Sequence, residues 1–377
     1  MRIAYLDLSS VSDPSAGYKK KIAAQIRAIE TLGVQVISVD IAHSSLISDN
    51  DKEKLSGSGI RRTYRRRTRL LEICAGLIES GSIDLVYARY PGGDSVFHRF
   101  AVKYGNLIVS EHQSLETQEL RTARKGFRLL SEEIYGKKVL RTLSGIVGVT
   151  QEICDYEVAR SGVPGKPYLV SGNGIDVDSV PVRTPPEYDG KNLDLLCVAQ
   201  VAKWHGLDRL IKGIAEYRGN ENVRLHIVGD GSEIPNLKKL VTDLKLGDSV
   251  FFHGFKTGEE LDVLFDKCHI AIGSLGAHRK GLTETSELKA REYCSRGIPF
   301  FCSVPDADFP EDFPYALRVP SVEETIDMNK ILTFVKSVCC DQRHPHIMRE
   351  YALENLDWSI KMKRLVGFLE RIISSSR

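Results

Sequence analysis

Short apolar runs separated by helix-length amphipathic segments recur along this chain, and the pattern runs through twice. In the first half IAYL (3–6), VQVISV (34–39), DLVYARY (84–90), LIVSEH (107–112), GIVGVT (145–150) and YLVSGNG (168–174) read as strands. Segments 18–32, 68–80, 94–104, 119–142 and 151–161 carry apolar residues at helical spacing. In the second half LDLLCVA (193–199), VRLHIVG (223–229), SVFFHGF (249–255), HIAIGS (269–274) and IPFFCS (298–303) read as strands, with helical segments at 207–217, 233–246, 258–267 and 286–296. A last amphipathic segment runs from Trp358 to Ile373. Parallel strands need crossover connections, and helices in that role cover both faces of the sheet. The pattern therefore predicts two α/β domains, each built on a parallel sheet. The stretch VRTPPEYDGKN at 182–192 reads as the linker, giving domains at 1–181 and 182–357. A length of 377 residues suits that division.

Composition narrows the class. Hydrophobic content of 42% with 27% charged residues describes a globular chain with ample core. No apolar run approaches the roughly 20 residues needed to cross a bilayer, and MRIAYLDLSS reads as a first strand rather than a leader. Eight scattered cysteines, none in a C-x2-C pair, argue against a zinc finger or disulfide framework and for reduced, cytoplasmic thiols. The net charge of +2 hides an asymmetry: residues 1–145 hold 23 Lys and Arg against 16 Asp and Glu, or +7, which leaves −5 for the rest. The basic excess includes Lys19-Lys20-Lys21, RRTYRRRTR at 61–69, and Arg121, Arg124, Lys125 and Arg128. Such a stripe suits an anionic partner such as lipid headgroups or a pyrophosphate-linked acceptor.

The segment GLTETSELKAREYCSRGIPFF at 281–301 carries the most chemistry. Its loop ends at Ser286, an expected N-cap; a helix follows from Glu287 to Arg296, and Gly297 stops it. The start of that helix offers unpaired N–H groups of Glu287 and Leu288, a natural seat for phosphate. Glu284 and Glu292 flank this end with seven residues between them. Two carboxylates beside an anion seat suit a phosphate ligand that carries hydroxyl-bearing sugars.

This spacing resembles the Glu-x7-Glu signature of retaining glycosyltransferases of family 4 (glycosyl transferases group 1), and Gly297-Ile298-Pro299 fits their Gly-x-Pro ending. The resemblance spans essentially the whole chain, strongest over 145–303 and weakest over 40–80. It implies a GT-B fold: two Rossmann-like domains facing across a cleft, with the C-terminal helix, 358–377, crossing back to the first domain. It implies that Glu284 contacts the donor sugar in a catalytic role and that Glu292 contacts the nucleotide ribose. Ser286, Glu287 and Leu288 would hold the diphosphate, and Gly254 and Phe255 the base. In the first domain, Glu111, His112 and Gln113 end a strand, where ligands of open α/β sheets bind. The resemblance makes His112 a sugar-contacting, catalytic residue, with Glu111 and Gln113 toward the acceptor. Gly17 permits close approach to the donor, and Tyr18 and Lys21 meet the acceptor. Asn173-Gly174-Ile175-Asp176 is similar to the family's interdomain crossing.

One departure stands out. The family carries an Arg and, five residues on, a Lys that clamp the diphosphate; alignment on Gly206 puts Gln200 and His205 there. Lys203 or Arg209 can supply the missing charge. No Asp-x-Asp pair is read as a strand-end metal holder, so no essential divalent cation and no cofactor beyond the nucleotide-sugar co-substrate are expected. The implied activity is transfer of a hexose from a nucleotide-diphosphate sugar to a glycan or lipid-linked acceptor in polysaccharide or cell-envelope synthesis. It would take place in the cytoplasm or on the inner membrane face, with no nucleic acid partner. A sugar-nucleotide epimerase shares the two-domain architecture. A binding module for an anionic polymer would use only the basic stripe. A dinucleotide oxidoreductase lacks its G-x-G-x-x-G at the first strand turn.

Overall fold

The computed structural model describes residues 1–9, 16–42, 44–57 and 59–376. The chain divides into two compact units, Met1–Gly172 with Trp358–Arg377, and Asn173–Asp357.

The first unit is built on a six-stranded parallel sheet of β1 (Arg2–Leu6), β2 (Gln35–Val39), β3 (Leu85–Arg89), β4 (Ile108–His112), β5 (Gly145–Gly148) and β6 (Tyr168–Val170), in the order β2-β1-β3-β4-β5-β6. One sheet face buries Leu70, Phe97, Phe100 and Leu140. The other buries Ile22 and Ile29 beneath the C-terminal helix Trp358–Ser376, which packs Trp358, Met362, Leu365 and Leu369 against Tyr5, Tyr87 and Val109. Those four positions recur at three- and four-residue intervals, the period of one helix face. The helix read over 119–142 is two helices, Glu116–Thr122 and Gly126–Thr142. Arg124 between them takes a left-handed φ of 52°. The Lys125 N–H reaches back to Leu120 O and that of Arg124 to Arg121 O, the paired closure that ends a helix.

The second unit repeats the design with β7 (Asn192–Val198), β8 (Asn222–Val228), β9 (Val250–Gly254), β10 (Ile270–Ile272), β11 (Phe300–Cys302) and β12 (Ala316–Arg318), all parallel, in the order β12-β11-β10-β7-β8-β9. The edge strand β12 and the helices Met328–Val338 and His344–Asn355 were not read from the sequence. The turn Gly229-Asp230-Gly231 after β8 has φ of 114° and 154° at its glycines, and a Cβ there would lie 2.0 Å from Ala199 O and 2.1 Å from Val201 O. Only glycine lets this turn lie against the loop that follows β7.

The unit boundary falls at 172/173, ahead of the 181/182 read from sequence, and 182–192 is no free linker. Arg183 is buried, with Nε donating to Gly297 O at 3.0 Å and Nη2 meeting His344 Nε2 at 2.9 Å. A buried guanidinium needs such acceptors, and they bind the stretch to the second unit. All eight cysteines are free thiols; seven are buried and Cys340 is exposed. Among the described residues no helix is long and apolar enough to cross a membrane.

Candidate functional site

In the second unit the Glu-x7-Glu segment joins a loop to the helix Leu288–Arg296. Gly297 ends that helix with φ 79°, as its sequence position requires. The cap residue is Glu287, with extended backbone, and not Ser286. Ser286 Oγ instead accepts the Asn173 N–H at 2.7 Å, and Ser286 O accepts from Asn173 Nδ2. Asn173 thus bolts the start of the unit to the loop carrying Glu284. Glu287 turns its carboxylate away from its own helix end to accept the Ser274 N–H at 3.1 Å. Leu288 is exposed, Glu284 is half-buried, and Glu292 accepts Arg296 Nε at 2.9 Å.

Arg291 runs along the inner side of this helix and is fully buried. Its Nε donates to Asn173 O at 2.8 Å, and its guanidinium pairs with Asp306 and Asp308. Asp306-Ala307-Asp308 follows β11 and so has the strand-end Asp-x-Asp spacing that the sequence reading did not find. Both of its carboxylates are engaged by Arg291, a bidentate partner that leaves them as structural ligands of an arginine. Burial pushes the Asp306 pKa up, against the pull of Arg291.

The loop after β7 holds the two positions where the family's cations are absent. Gln200 is exposed and Lys203 is exposed. His205 is buried, and its Nδ1 accepts the Ala202 N–H at 3.0 Å. Burial, then nearby Lys289, pushes its pKa down to about 2, so the ring is neutral and presents Nε2–H. Arg209 is buried and spent on backbone carbonyls: Nε on Glu324 O at 2.7 Å, Nη2 on Pro320 O at 2.9 Å, Nη1 on Leu275 O. It cannot serve as the clamp. Sequence reasoning missed Lys289, second residue of the helix. Its Nζ is shielded from solvent and, among the described residues, has no hydrogen-bond partner and a single ion pair, a 3.5 Å approach to Glu287 Oε2. The signal was its position. A cation in the first turn works against the helix dipole unless an anion joins it. Neutral His205, the ammonium of Lys289 and the start of the helix together suit a multiply charged anion. Gly254, with φ 66°, and the exposed Phe255 close β9 in the same unit.

In the first unit, the polar end of β4 is buried. His112 stacks on Tyr90 at 4.4 Å between centroids, its Nε2 meets Ser110 Oγ at 2.8 Å, and its Nδ1 lies 3.7 Å from Glu157 Oε1. Burial, then Arg160, pushes the His112 pKa down to about 3. Arg160 is shared by two carboxylates, donating to Glu157 Oε2 at 2.8 Å and to Glu132. One guanidinium cannot balance both in a buried site, and burial pushes Glu157 up to about 8 in spite of Arg160. Glu111 and Lys21 form a buried ion pair at 3.1 Å, with Gln25 Nε2 donating to the same oxygen at 3.1 Å. Burial opposes the Glu111 charge, but Lys21, Arg89 and Gln25 hold its pKa below the usual range. These two residues brace β4 against the first helix, Ala16–Thr31. Gln113, next along the chain, has a buried Nε2 that meets no hydrogen-bond partner among the described residues. Gly17 and Tyr18 lie in the first turn of that helix, with side chains outside the described residues.

The basic run 61–69 lies in the helix Ile60–Glu79, and its members do not share one fate. Arg66 is buried on Leu8 O and Leu55 O; Arg67 donates to Pro91 O and Gly92 O, both at 2.9 Å, and pairs with Asp94. Arg62, Arg65 and Arg69 remain outside and line an open groove of about 730 Å³ with Lys54.

Residues 183–306 match the family model described as Glycosyl transferases group 1. The match takes in the loop after β7, the Gly-Asp-Gly turn, Glu284 and the helix that follows it. No curated protein sequence matches the chain. Three solved structures superpose over nearly its whole length. The lipopolysaccharide outer core galactosyltransferase WaaB, in its apo form, is 18% identical, with 98% of this chain and 99% of that one covered at a TM-score of 0.62. Sucrose-phosphate synthase from Thermosynechococcus elongatus is 15% identical, with 100% of both chains covered and a TM-score of 0.68. Anabaena Alr3699/HepE in complex with UDP-glucose is 15% identical, with 98% and 100% covered and a TM-score of 0.61. At these identities the likeness is one of fold, and the fold is GT-B.

Proposed function

We propose that this chain, a group 1 glycosyl transferase over residues 183–306, moves a hexose from a nucleotide-diphosphate sugar to a hydroxyl of a glycan or lipid-linked acceptor with retention of configuration. One observation carries the reading: the family segment contains Glu284 on the loop that leads into a helix whose first turn holds Lys289. Retention and the donor class are supported by the Glu284-x7-Glu292 spacing, and a UDP-sugar is the first donor to test because HepE is described in complex with UDP-glucose.

The chemistry asked of the site is separation of charge. A nucleotide diphosphate leaves as an anion while the sugar becomes oxocarbenium-like. The amide groups at the start of the helix and the ammonium of Lys289 stabilise the first; the Glu284 carboxylate stabilises the second or orients the sugar hydroxyls. Protein groups supply the positive charge, so a divalent cation is not required. In this reading His112 and Gln113, at the end of β4, are the first unit's candidate contacts for the acceptor. We assign the reaction to the cytoplasm, a reading that the eight free thiols support.

The test is a panel of UDP-, GDP- and dTDP-sugars scored by thermal shift, then turnover with Glu284→Ala. A true donor at 100 times its dissociation constant stabilises by about 2.7 kcal/mol. Glu284→Ala is expected to keep that shift and to lose turnover at least 100-fold, in EDTA as in buffer. An unchanged rate in Glu284→Ala refutes the assignment. A nucleotide sugar altered without transfer to acceptor points to the epimerase, and complete loss in EDTA restored by Mn²⁺ refutes metal independence.

A further inference from the structure

The helix Gly126–Thr142 exposes three large apolar side chains: Phe127 at 74%, Leu130 at 56% and Ile134 at 45%. Their spacing of three and four residues places them within roughly 60° of one another around the axis, on one face. The opposite face is the buried one, carrying Glu132, Gly136, Val139 and Leu140. That inner face is fixed. Glu132 accepts from Tyr90 OH at 2.9 Å and from the Gly93 N–H and Arg160, and Ser131 Oγ donates to Gly93 O at 2.9 Å. A backbone approach at Gly136 leaves no room for rotation, since a Cβ on Gly93 would lie 2.5 Å from Gly136 N. The apolar stripe is therefore presented to water by a helix that cannot turn it inward.

Soluble chains scatter single exposed apolar residues, whereas a contiguous stripe marks a partner. Charge identifies the partner. The stripe runs into Lys137, Lys138 and Arg141 on the same exposed side, and Arg124, Lys125 and Arg128 surround its first turn, all exposed. From 121 to 141 there are seven Lys and Arg against two carboxylates. Of these, Glu132 is buried and Glu133 is held by Arg121 at 2.9 Å. An apolar stripe rimmed by cations at both ends matches an anionic bilayer, with its acyl boundary below and phosphate headgroups at the rim.

We propose that this face of the helix Gly126–Thr142 is an interfacial anchor for an anionic membrane, with Phe127, Leu130 and Ile134 entering the acyl boundary and the flanking cations at headgroup level. This replaces the run 61–69 as the chief membrane contact, since Arg66 and Arg67 of that run face inward. The anchor does not depend on the donor chemistry.

The test is sedimentation of the full chain with vesicles of phosphatidylcholine, with and without phosphatidylglycerol, at about 50 mM and about 500 mM salt. Wild type is expected to bind the anionic vesicles and to lose most of that binding at high salt. The triple variant Phe127→Ser, Leu130→Ser, Ile134→Ser should bind at least tenfold more weakly with an unchanged melting temperature. Lys137→Glu with Lys138→Glu should also weaken binding, and Arg65→Ser and Glu284→Ala should bind as wild type. Equal binding by wild type and the triple variant overturns the proposal. Equal binding to neutral and anionic vesicles also overturns it. So does an absence of vesicle binding together with a self-association that the triple variant abolishes, which would assign the stripe to a second copy of the chain.

Discussion

The buried carboxyl of Glu157 gives the first unit a pH dependence that one substitution should remove. Glu157 has an ordinary value of 4.5 when unfolded and about 8 in the native unit. Its folded pKa is raised, so its contribution to stability is complete below 4.5 and is lost as pH rises through 8. Within that window the native state holds a proton that the unfolded state has released, and each pH unit costs about 1.4 kcal/mol. Integrated from pH 6 to pH 9, this amounts to about 2–3 kcal/mol, or roughly 5–10 °C in melting temperature for a unit of this size. Glu157→Gln keeps the acceptor for Arg160 Nη1 and cannot ionise, so the alkaline decline should flatten by that amount. His112 works with the opposite sign. Its folded pKa is depressed to about 3, so its contribution is present above 6.5 and fades as pH falls, and the acid limb should survive in the variant. Trp358 belongs to the first unit and Trp204 to the second, so Trp358 fluorescence in a Trp204→Phe background follows the right transition. Parallel alkaline declines in wild type and Glu157→Gln would refute the reasoning.

Two further outcomes concern the second unit. Gly297→Ala combines a φ of 79° with a Cβ 2.2 Å from Pro345 Cα, and is expected to destabilise by about 3 kcal/mol or more, read by denaturant titration. Lys289→Met removes a shielded ammonium, so it should leave the melting temperature equal or higher while weakening nucleotide-diphosphate binding at least tenfold by calorimetry, with less effect on the free nucleoside.

Eleven of the twelve strands among the described residues were legible because strands of a covered parallel sheet leave short apolar runs such as LLCV and GIVG. The edge strand Ala316–Arg318 was not, since a three-residue segment ending in the exposed Arg318 carries no such run. Gly297 was legible because a left-handed cap has few alternatives, whereas Ser286 misled. A serine before a helix satisfies an amide by default, but here that amide came from Asn173, far away in sequence. Charged residues fared worst. Arg65, Arg66 and Arg67 look alike in sequence, yet helix geometry points one to water and two to backbone carbonyls. Lys21 and Glu111, read as acceptor contacts, pair with each other across strand and helix. The absent clamp at Gln200 and His205 was visible in sequence, but Lys289, whose charge acts on His205, became apparent only with its surroundings.

The thiols turn this chain into its own stability gauge. Burial pushes Cys74 up to about 12, Cys197 and Cys339 to about 11 and Cys302 to about 12, and Cys268 and Cys294 further. At these six positions the thiolate, the species that reacts, is suppressed in the native protein, while Cys154 is shielded by burial and Cys340 is exposed. Alkylation should therefore label one position quickly and the others only on opening. Cys74 and Cys154 lie in the first unit, while Cys197, Cys268, Cys294, Cys302 and Cys339 lie in the second. Peptide masses from a single reaction would then time the unfolding of each half separately, without dividing the chain.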